Sequence, residues 1–322
     1  MTTRLASRSS LVAVALAATL ALAACSPEEE PAEDGTSASG TAAATDTGLD
    51  VEAYQEIVDN GAVADDAVVE ANEWASAVRE AGVLSVGGTE TSTLFSLVDP
   101  TDGTARGFDA GLSQLLSRYI LGEVGTELSQ VTVDTREDLL ENNSVDTILA
   151  TYSITPERAA RVAFAGPYYS SQSAILVAAD NENIASVEDL AGTTVATQAA
   201  STGVTVIEEF APEAEVLALP DHEQALAAVR QGRADAYVID QTLLLNAVVG
   251  SEDVKIVGEP FGPADNYGIG LPPDSDAVEF VNTWLQQVID DGTWEELWQV
   301  TIGNRTGVDE APAPPTVGET IS

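Results

Sequence analysis

Short apolar runs alternate with segments of helical periodicity from Gly82 onward, and this alternation restricts the fold more than any other feature of the sequence. Buried strands carry apolar residues in short runs, whereas amphipathic helices repeat them every three or four positions. We predict strands at 83–86, 131–133 and 146–150 and helices at 108–121 and 136–141. Strands that alternate with helices predict parallel sheets with helices on both faces. The chain is therefore expected to have an α/β fold.

A second series of the same kind predicts a second lobe. We predict its strands at 173–179, 194–196 and 236–239 and its helix at 224–230. Gly258, Pro260, Gly262 and Pro263 then predict a connection, because both residue types interrupt regular structure. The remaining elements are expected to return to the first lobe: a strand at 267–271 and helices at 278–289 and 294–300.

These two series define the expected domains. The first lobe comprises residues 83–178 and 267–308, and the second lobe comprises residues 179–266. Each lobe is expected to hold a central β-sheet flanked by helices. The Pro-rich end, residues 309–322, is expected to be a flexible tail.

The N-terminus predicts export from the cytoplasm. Arg4 and Arg8 precede an apolar run over 11–22, which is too short to span a bilayer comfortably, so residues 1–24 are typical of a signal peptide. Leu22-Ala23-Ala24-Cys25 resembles the bacterial lipobox, in which the cysteine thiol receives a diacylglycerol. Cys25 is the only cysteine, which excludes an intramolecular disulfide. An incidental thiol beside a simple cleavage site is the alternative to lipidation of Cys25.

Residues 25–48 lack periodic apolar positions and are expected to form a disordered tether. Residues 49–82 carry apolar positions at helical spacing and predict an extension of one or two amphipathic helices. The chain has 12 basic and 53 acidic residues, for a formal net charge of −41. Such a surface repels nucleic acid and anionic lipid headgroups, so neither is expected as a partner.

The segment 150–158, Ala-Thr-Tyr-Ser-Ile-Thr-Pro-Glu-Arg, carries the strongest chemical signal in the sequence. Thr155 and Pro156 predict the start of a helix, with Arg158 in its first turn. Thr151 and Ser153 would point their hydroxyls the same way in an extended segment. An arginine at this position opposes the helix dipole, which favours a bound carboxylate. A surface arginine beside solvated hydroxyls is the alternative.

Further motifs along the chain make it resemble a known family: the polar-amino-acid branch of the periplasmic-type solute-binding proteins that serve ABC importers. Together with 151–158, they are Gly107-Phe108-Asp109, the segments 164–169, 189–192 and 232–236, Tyr267-Gly268-Ile269-Gly270-Leu271 and 291–294. The resemblance runs from about Val83 to Gly303. It implies a two-lobed fold of the type II periplasmic-binding-protein kind, with the ligand in the cleft and an extracytoplasmic location. Within this family, the chain resembles the glutamate- and glutamine-binding type.

The resemblance also implies the residues that hold the ligand. Those matching Thr151, Ser153 and Arg158 bind its α-carboxylate and amino group. A Ser-Thr pair that matches Ser201 and Thr202 completes the carboxylate site. A carboxylate matching Asp240 receives the ammonium, and Asp240 also follows a strand at the place where α/β folds bind ligands. A capping role is the alternative for Asp240.

Two further residues indicate the side chain of the ligand. Arg136 and His222 match an arginine and a histidine that glutamate- and aspartate-binding members place at the site. We therefore rank glutamate or aspartate first and keep glutamine and asparagine as candidates. The alternatives are that Arg136 solvates a helix start and that His222 is a turn residue. Glu90 departs from the pattern of acidic-ligand binders, and Ser92 replaces an aromatic lid residue of broader-specificity members.

The resemblance implies the partners as well: a free L-amino acid, the permease of an ABC importer and, through Cys25, the outer face of the cell membrane. A sensory role is the main alternative, since 94–100 resembles segments of long actinobacterial glutamine-binding lipoproteins that can report ligand to a membrane sensor. A dehydratase on the same scaffold is a further alternative, with His222 and Glu90 as acid and base. We expect a monomer, no catalysis, no metal and no cofactor.

Overall fold

A computed structural model describes residues 48–249 and 251–318 of the chain. The predicted signal peptide, Cys25 and nearly all of the predicted tether lie outside the described residues. Among the described residues, no helix is both long and apolar enough to cross a bilayer.

Twelve α-helices are present in the described residues: α1 Val51–Asn60, α2 Asp66–Glu70, α3 Glu73–Ala81, α4 Phe108–Leu121, α5 Arg136–Glu141, α6 Pro156–Ala159, α7 Thr202–Phe210, α8 His222–Arg230, α9 Gln241–Val248, α10 Ala277–Asp290, α11 Thr293–Trp298 and α12 Asn304–Thr306. Eleven strands accompany them over the same part of the chain: β1 Leu84–Gly88, β2 Thr91–Ser92, β3 Ser96–Val98, β4 Ala105–Arg106, β5 Thr126–Gln130, β6 Thr147–Ile148, β7 Ala163–Ala178, β8 Thr194–Gln198, β9 Glu215–Leu219, β10 Ala236–Asp240 and β11 Val254–Leu271. A 3₁₀ turn at Val187–Leu190 and a π-helical turn at Gln299–Gly303 complete the elements.

Eight strands form one mixed sheet in the order β5-β1-β6-β11-β7-β10-β8-β9. Strand β1 is parallel to β5 and β6 at one end, and β8 is parallel to β9 and β10 at the other. The two long strands in the middle, β7 and β11, are antiparallel to each other and to their outer neighbours. We call the part around β5-β1-β6 the first lobe and the part around β10-β8-β9 the second lobe. The fold is thus two-lobed α/β.

Each lobe has its own hydrophobic core. The larger core joins the N-terminal helices to α4, α10 and α11 in the first lobe, with Trp284 and Trp294 among its fully buried side chains. Two smaller cores lie on either side of the second-lobe strands, around Leu226 and Ile207. Burial of this kind stabilises by roughly 25 cal/mol per Å² of apolar surface. The lobes therefore have cores of their own within one compact unit, and they share β7 and β11.

The N-terminal extension contains three helices, not the one or two that the sequence predicts. Asp50 and Asn72 cap α1 and α3, because their side chains accept hydrogen bonds from amides in the first turns. Tyr54, Val58 and Trp74 are buried in the first-lobe core. The extension is therefore an integral layer of this lobe.

The end of the chain lies against the same lobe. Over 309–318, the described part of the predicted flexible tail, there is no helix or strand. However, Ala311 and Val317 pack against the larger core, and the Gly318 amide donates to the Gly166 carbonyl at 2.8 Å.

Several sequence predictions about the elements are wrong. Residues 131–133 are not a strand, because the strand β5 ends one residue earlier and 132–135 form a turn. The predicted connection at 258–263 lies inside β11. The sheet is mixed and not purely parallel, since β7 and β11 run against their neighbours.

Candidate functional site

A cavity of about 570 Å³ lies between the two lobes. It brings together every residue that the sequence analysis assigned to ligand binding: Arg136, Thr151, Ser153, Arg158, Ser201, Thr202, His222 and Asp240. Four come from each lobe. The cavity is within the size range of small-molecule sites in proteins, roughly 300–1,000 Å³.

Arg158 is a buried cation in the first-lobe wall of the cavity, with 8% of its surface exposed. Its Nη1 donates to the Ser153 carbonyl at 2.8 Å, and its Nη2 donates to the Ala200 carbonyl of the second lobe at 3.2 Å. Each terminal nitrogen of an arginine carries two N–H groups, so each keeps one for a ligand. The Arg158 Nε lies 3.6 Å from Glu137 Oε1. The alternative of a solvated surface arginine is wrong.

The helix that carries Arg158 is shorter than its signals suggest. Thr155 caps α6 as predicted, accepting a hydrogen bond from the Arg158 amide, but α6 is a single turn of four residues. Arg158 is therefore in the last turn as well as the first. The argument from an opposing helix dipole loses its force, and burial of the guanidinium carries the argument for an anion instead.

Arg136 is a second buried cation in the same wall, with 4% of its surface exposed. Its Nη1 donates to the Ala150 carbonyl at 3.0 Å, and its guanidinium carbon lies 4.0 Å from the Tyr152 ring centroid. Its Nε has no hydrogen-bond partner in the described part of the protein. Burial and, to a smaller extent, the charge of Arg158 lower the pKa of Arg136 to about 10. It is not a solvated residue at a helix start.

Thr151 is held in a strained backbone conformation between these two arginines. Its φ is +45°, a region that residues other than glycine rarely adopt. Its amide donates to Asp109 Oδ2 at 2.9 Å, and Tyr168 donates to Asp109 Oδ1 at 2.7 Å. Burial raises the pKa of Asp109 to about 7, against the effect of both hydrogen bonds. Asp109 therefore holds the backbone of Thr151 in position.

The second-lobe wall carries negative charge where the first-lobe wall carries positive charge. Asp240 is 3% exposed, and its Oδ1 has no hydrogen-bond partner within the described residues. It is the N-cap residue of α9, but its side chain makes no capping hydrogen bond, so the capping alternative is wrong. Burial raises the pKa of Asp240 well above its usual range, and the neighbouring carboxyl of Asp265 raises it further.

Ser201 and Thr202 begin α7, which opens onto the cavity. The Ser201 hydroxyl donates to the Gln198 carbonyl, and the Thr202 hydroxyl donates to Asp265 Oδ2 at 2.8 Å. Neither side chain caps the helix, so the first amides of α7 remain for an anion. Gly203 is required here, because a Cβ would lie 2.3 Å from Thr197 Oγ1.

His222 lines the cavity as the first residue of α8 and not as part of a turn. Its Nδ1 lies 3.1 Å from the Tyr237 hydroxyl. Burial lowers the pKa of His222 to about 4. At neutral pH the imidazole is therefore uncharged, and it cannot supply the second positive charge that favoured an acidic ligand.

Glu90 and Ser92, which depart from the family's pattern in the sequence, differ in whether they line the cavity. Glu90 is exposed and does not line the cavity, so it does not repel a ligand from inside. Ser92 lines the cavity in the place expected for a lid residue.

Sequence reasoning missed Asn246, whose Oδ1 accepts a hydrogen bond from the Leu94 amide across the lobes at 2.7 Å. It also missed Asp265. No cluster of metal-binding side chains occurs in 48–249 or 251–318.

Two buried guanidinium groups and a buried carboxyl group line one cavity in a two-lobed α/β protein, and such charges suit a small zwitterion. Residues 84–303 match the family described as bacterial extracellular solute-binding proteins, family 3. The chain belongs to this family. Its place of action is accordingly outside the cytoplasm.

Two relatives and one solved structure illustrate the similarity. The chain is 32% identical to the glutamine-binding protein of Geobacillus stearothermophilus over 81% of this chain and 90% of that protein. It is 30% identical to the glutamate-binding protein GluB of Corynebacterium glutamicum over 74% of this chain and 84% of that protein. A structure of an ancestral arginine-binding protein bound to glutamine has a TM-score of 0.63 and 31% identity, and covers 69% of this chain and 98% of that chain.

Proposed function

We propose that this protein captures a free L-amino acid between its lobes and delivers it to an ABC importer. The carrying observation is the pair of buried, incompletely paired arginines that lies across one cavity from Asp240. The ligand's α-carboxylate would bind Arg158, Thr151 and Ser153 and the start of α7 at Ser201 and Thr202. Its ammonium would bind Asp240. Binding-protein relatives of the same family support this role.

The expected affinity is consistent with these contacts. Micromolar binding requires about 8 kcal/mol. Hydrogen bonds to charged groups contribute about 1.5 to 3 kcal/mol each, so three or four of them together with apolar closure are sufficient.

We infer that the ligand's side chain ends in an oxygen that accepts from Arg136. A carboxylate or an amide oxygen meets this requirement, which favours glutamate and aspartate, with glutamine and asparagine next. The neutral His222 narrows the difference between acids and amides, because only one positive charge then faces the side chain. The glutamine- and glutamate-binding relatives support the same set.

A thermal-shift panel tests the proposal. The purified full chain is heated with each of the twenty amino acids at fixed pH and salt, and hits are measured by calorimetry. A ligand present at 100 times its Kd stabilises the folded protein by about 2.7 kcal/mol, so true ligands raise the Tm. The expected hits are glutamate, aspartate, glutamine or asparagine. A panel without any stabilising amino acid would refute the proposed function, and formation of a product from a prephenate-like acid would indicate a dehydratase instead.

We also propose that Cys25 anchors the protein to the outer face of the membrane through a lipid. Cys25→Ser should move the protein from the membrane fraction to the soluble fraction without changing its affinity. Uptake of labelled ligand by a deletion strain separates transport from sensing. A strain that loses signalling but keeps uptake would favour a membrane sensor as the partner.

The proposed lobes, 83–178 with 267–308 and 179–266, are joined by β7 and β11. Closure of one lobe on the other would bury the ligand. We propose that the protein acts as a monomer, because both walls of the cavity come from one chain.

A further inference from the structure

Asp265 lies beside Asp240 because both flank the same strand. Strand β7 runs between β10 and β11 in the sheet. Asp240 is the cross-strand partner of Ser173, and Asp265 is the cross-strand partner of Ser171. Residues two apart on a strand face the same side, and cross-strand partners share that side. The two carboxyl groups are therefore on one face of the sheet.

Neither carboxyl group has a cationic partner within 4 Å among the described residues. Asp265 Oδ2 accepts from the Thr202 hydroxyl on α7, whereas Asp240 Oδ1 has no partner. The other groups that act on Asp240 are Tyr267 on β11, whose hydroxyl lies 2.6 Å from Thr242 Oγ1, and Arg158 on α6, which acts through its charge.

Two adjacent buried carboxylates repel each other, so an unliganded pair of this kind retains a proton. Burial, the charge of Asp265 and a hydrogen bond between the two side chains all raise the pKa of Asp240, while Tyr267 and Arg158 lower it. The raising effects are the larger. Asp265 therefore adds to the effect of burial in favouring the protonated form of Asp240.

We propose that Asp265 is a specificity-determining residue: its carboxyl group favours a proton on Asp240 in the empty cleft, and the ligand's ammonium group displaces this proton to solvent. The inference rests on the proposed function. On binding, one O–H bond of the pair breaks, the proton passes to buffer, and ammonium N–H groups donate to the freed carboxylate. A 2-oxo acid or 2-hydroxy acid has no cation at this position and leaves the proton in place. The pair thus selects for an amino group.

Proton release makes the affinity depend on pH with a definite sign. Where the free pair is protonated and the complex is not, one proton leaves per ligand bound. The association constant then rises by up to about tenfold for each unit of pH. It levels off at a pH above the pKa of the free pair.

Calorimetry in two buffers tests the proposal. The full chain is titrated with L-glutamate and with L-glutamine at pH 6.5, in phosphate and in imidazole, which differ in ionisation enthalpy. The difference between the observed heats gives the number of protons released. Wild type should release close to one proton, whereas Asp265→Asn and Asp265→Ser should release far fewer and bind with a weaker dependence on pH. Glu90→Gln, which removes an exposed carboxylate outside the cavity, is the matched control and should behave as wild type.

The variants separate the pair from other groups. Asp109 also titrates near pH 7, but it is present in every variant, so release that disappears with Asp265 belongs to the pair. Binding by wild type without proton release, or equal release by wild type and both Asp265 variants, would overturn the inference and leave the proposed function intact. If neither amino acid binds, the titration uses the strongest ligand from the thermal-shift panel, and absence of binding by every amino acid in that panel would overturn both. Two substitutions are used so that misfolding of one leaves the comparison valid.

Discussion

The two walls of the cavity are built from opposite charges and by opposite means. The first-lobe wall presents Arg136 and Arg158, whose N–H groups are partly used on backbone carbonyls and one nearby carboxylate. The second-lobe wall presents Asp240, which lacks a cationic partner in the described residues, and a histidine that burial keeps neutral, and Asp265 lies on the same face of the sheet across β7. Each wall is unfavourable by itself, because buried charge without a partner is costly. A zwitterion between them satisfies both, and this explains why one ligand class fits.

Removal of the first-lobe cation should have the largest effect on binding. Arg158→Ala deletes the charge-assisted bonds to the α-carboxylate, worth about 1.5 to 3 kcal/mol each, and leaves Glu137 buried without its partner. We expect a loss of affinity of at least about a thousandfold by calorimetry. Arg161→Ala is the control, since Arg161 is on the surface and pairs with Asp138 and Glu141. Wild-type affinity in Arg158→Ala would show that the first wall does not bind the carboxylate.

Neutralisation of the second wall should come next. Asp240→Asn keeps the shape of the side chain but removes the charge that receives the ammonium. A single charge-assisted hydrogen bond of about 1.5 to 3 kcal/mol corresponds to a loss of roughly 10- to 150-fold. Asp180→Asn, at an exposed position outside the cavity, controls for the change in net charge. If the two variants bound equally well, the comparison between the walls would fail.

Arg136→Gln should change selectivity more than overall affinity. The substitution removes a charge but keeps a donor, so glutamate should lose roughly tenfold in affinity and glutamine less. Arg136→Lys retains the charge and should fall between wild type and Arg136→Gln. Competition titrations of the two ligands measure the ratio. An unchanged ratio would mean that Arg136 does not reach the ligand's side chain.

The effect at His222 appears in stability and not in affinity. Its pKa is about 4 in the folded protein and about 6.5 in an unfolded chain, so folding favours the neutral form. This contribution to the free energy of unfolding is complete above pH 6.5 and is lost as the pH falls toward 4. Between pH 7 and pH 5, wild type should lose about 2 kcal/mol more than His222→Gln in urea unfolding. Parallel losses in the two proteins would show that His222 is charged in the fold.

The sequence predicted helices well where their apolar residues repeat at regular helical spacing. The bounds predicted for α4 and α5 are those observed. The strand prediction at 131–133 failed because β5 is an edge strand with a polar sequence, and the buried apolar residue Val131 follows it. The prediction at 258–263 failed because Pro260 and Pro263 fall in the two places where β11 lacks partners on β7, and bulges within a strand tolerate proline.

The candidate site was also only partly predictable. All eight residues assigned to binding line one cavity, as the family resemblance implies, and the local signals at 150–158 point to the same place. Asp265 was missed because its partner Asp240 is remote in sequence and becomes its neighbour only through the order of β10, β7 and β11. The charge of His222 was not predictable either, since burial by the surrounding fold sets its pKa.

The register shifts along β11 have a mechanical consequence. The pairing of β11 with β7 is interrupted between Val257 and Phe261, between Phe261 and Asp265, and between Tyr267 and Ile269. An uninterrupted ladder resists torsion, because all of its hydrogen bonds must deform together, whereas bulges concentrate twist at single points. The middle of this sheet therefore has three places at which twist is concentrated. Asp265 lies at one of these places, so a change of twist there would change the distance between the carboxyl groups of Asp240 and Asp265.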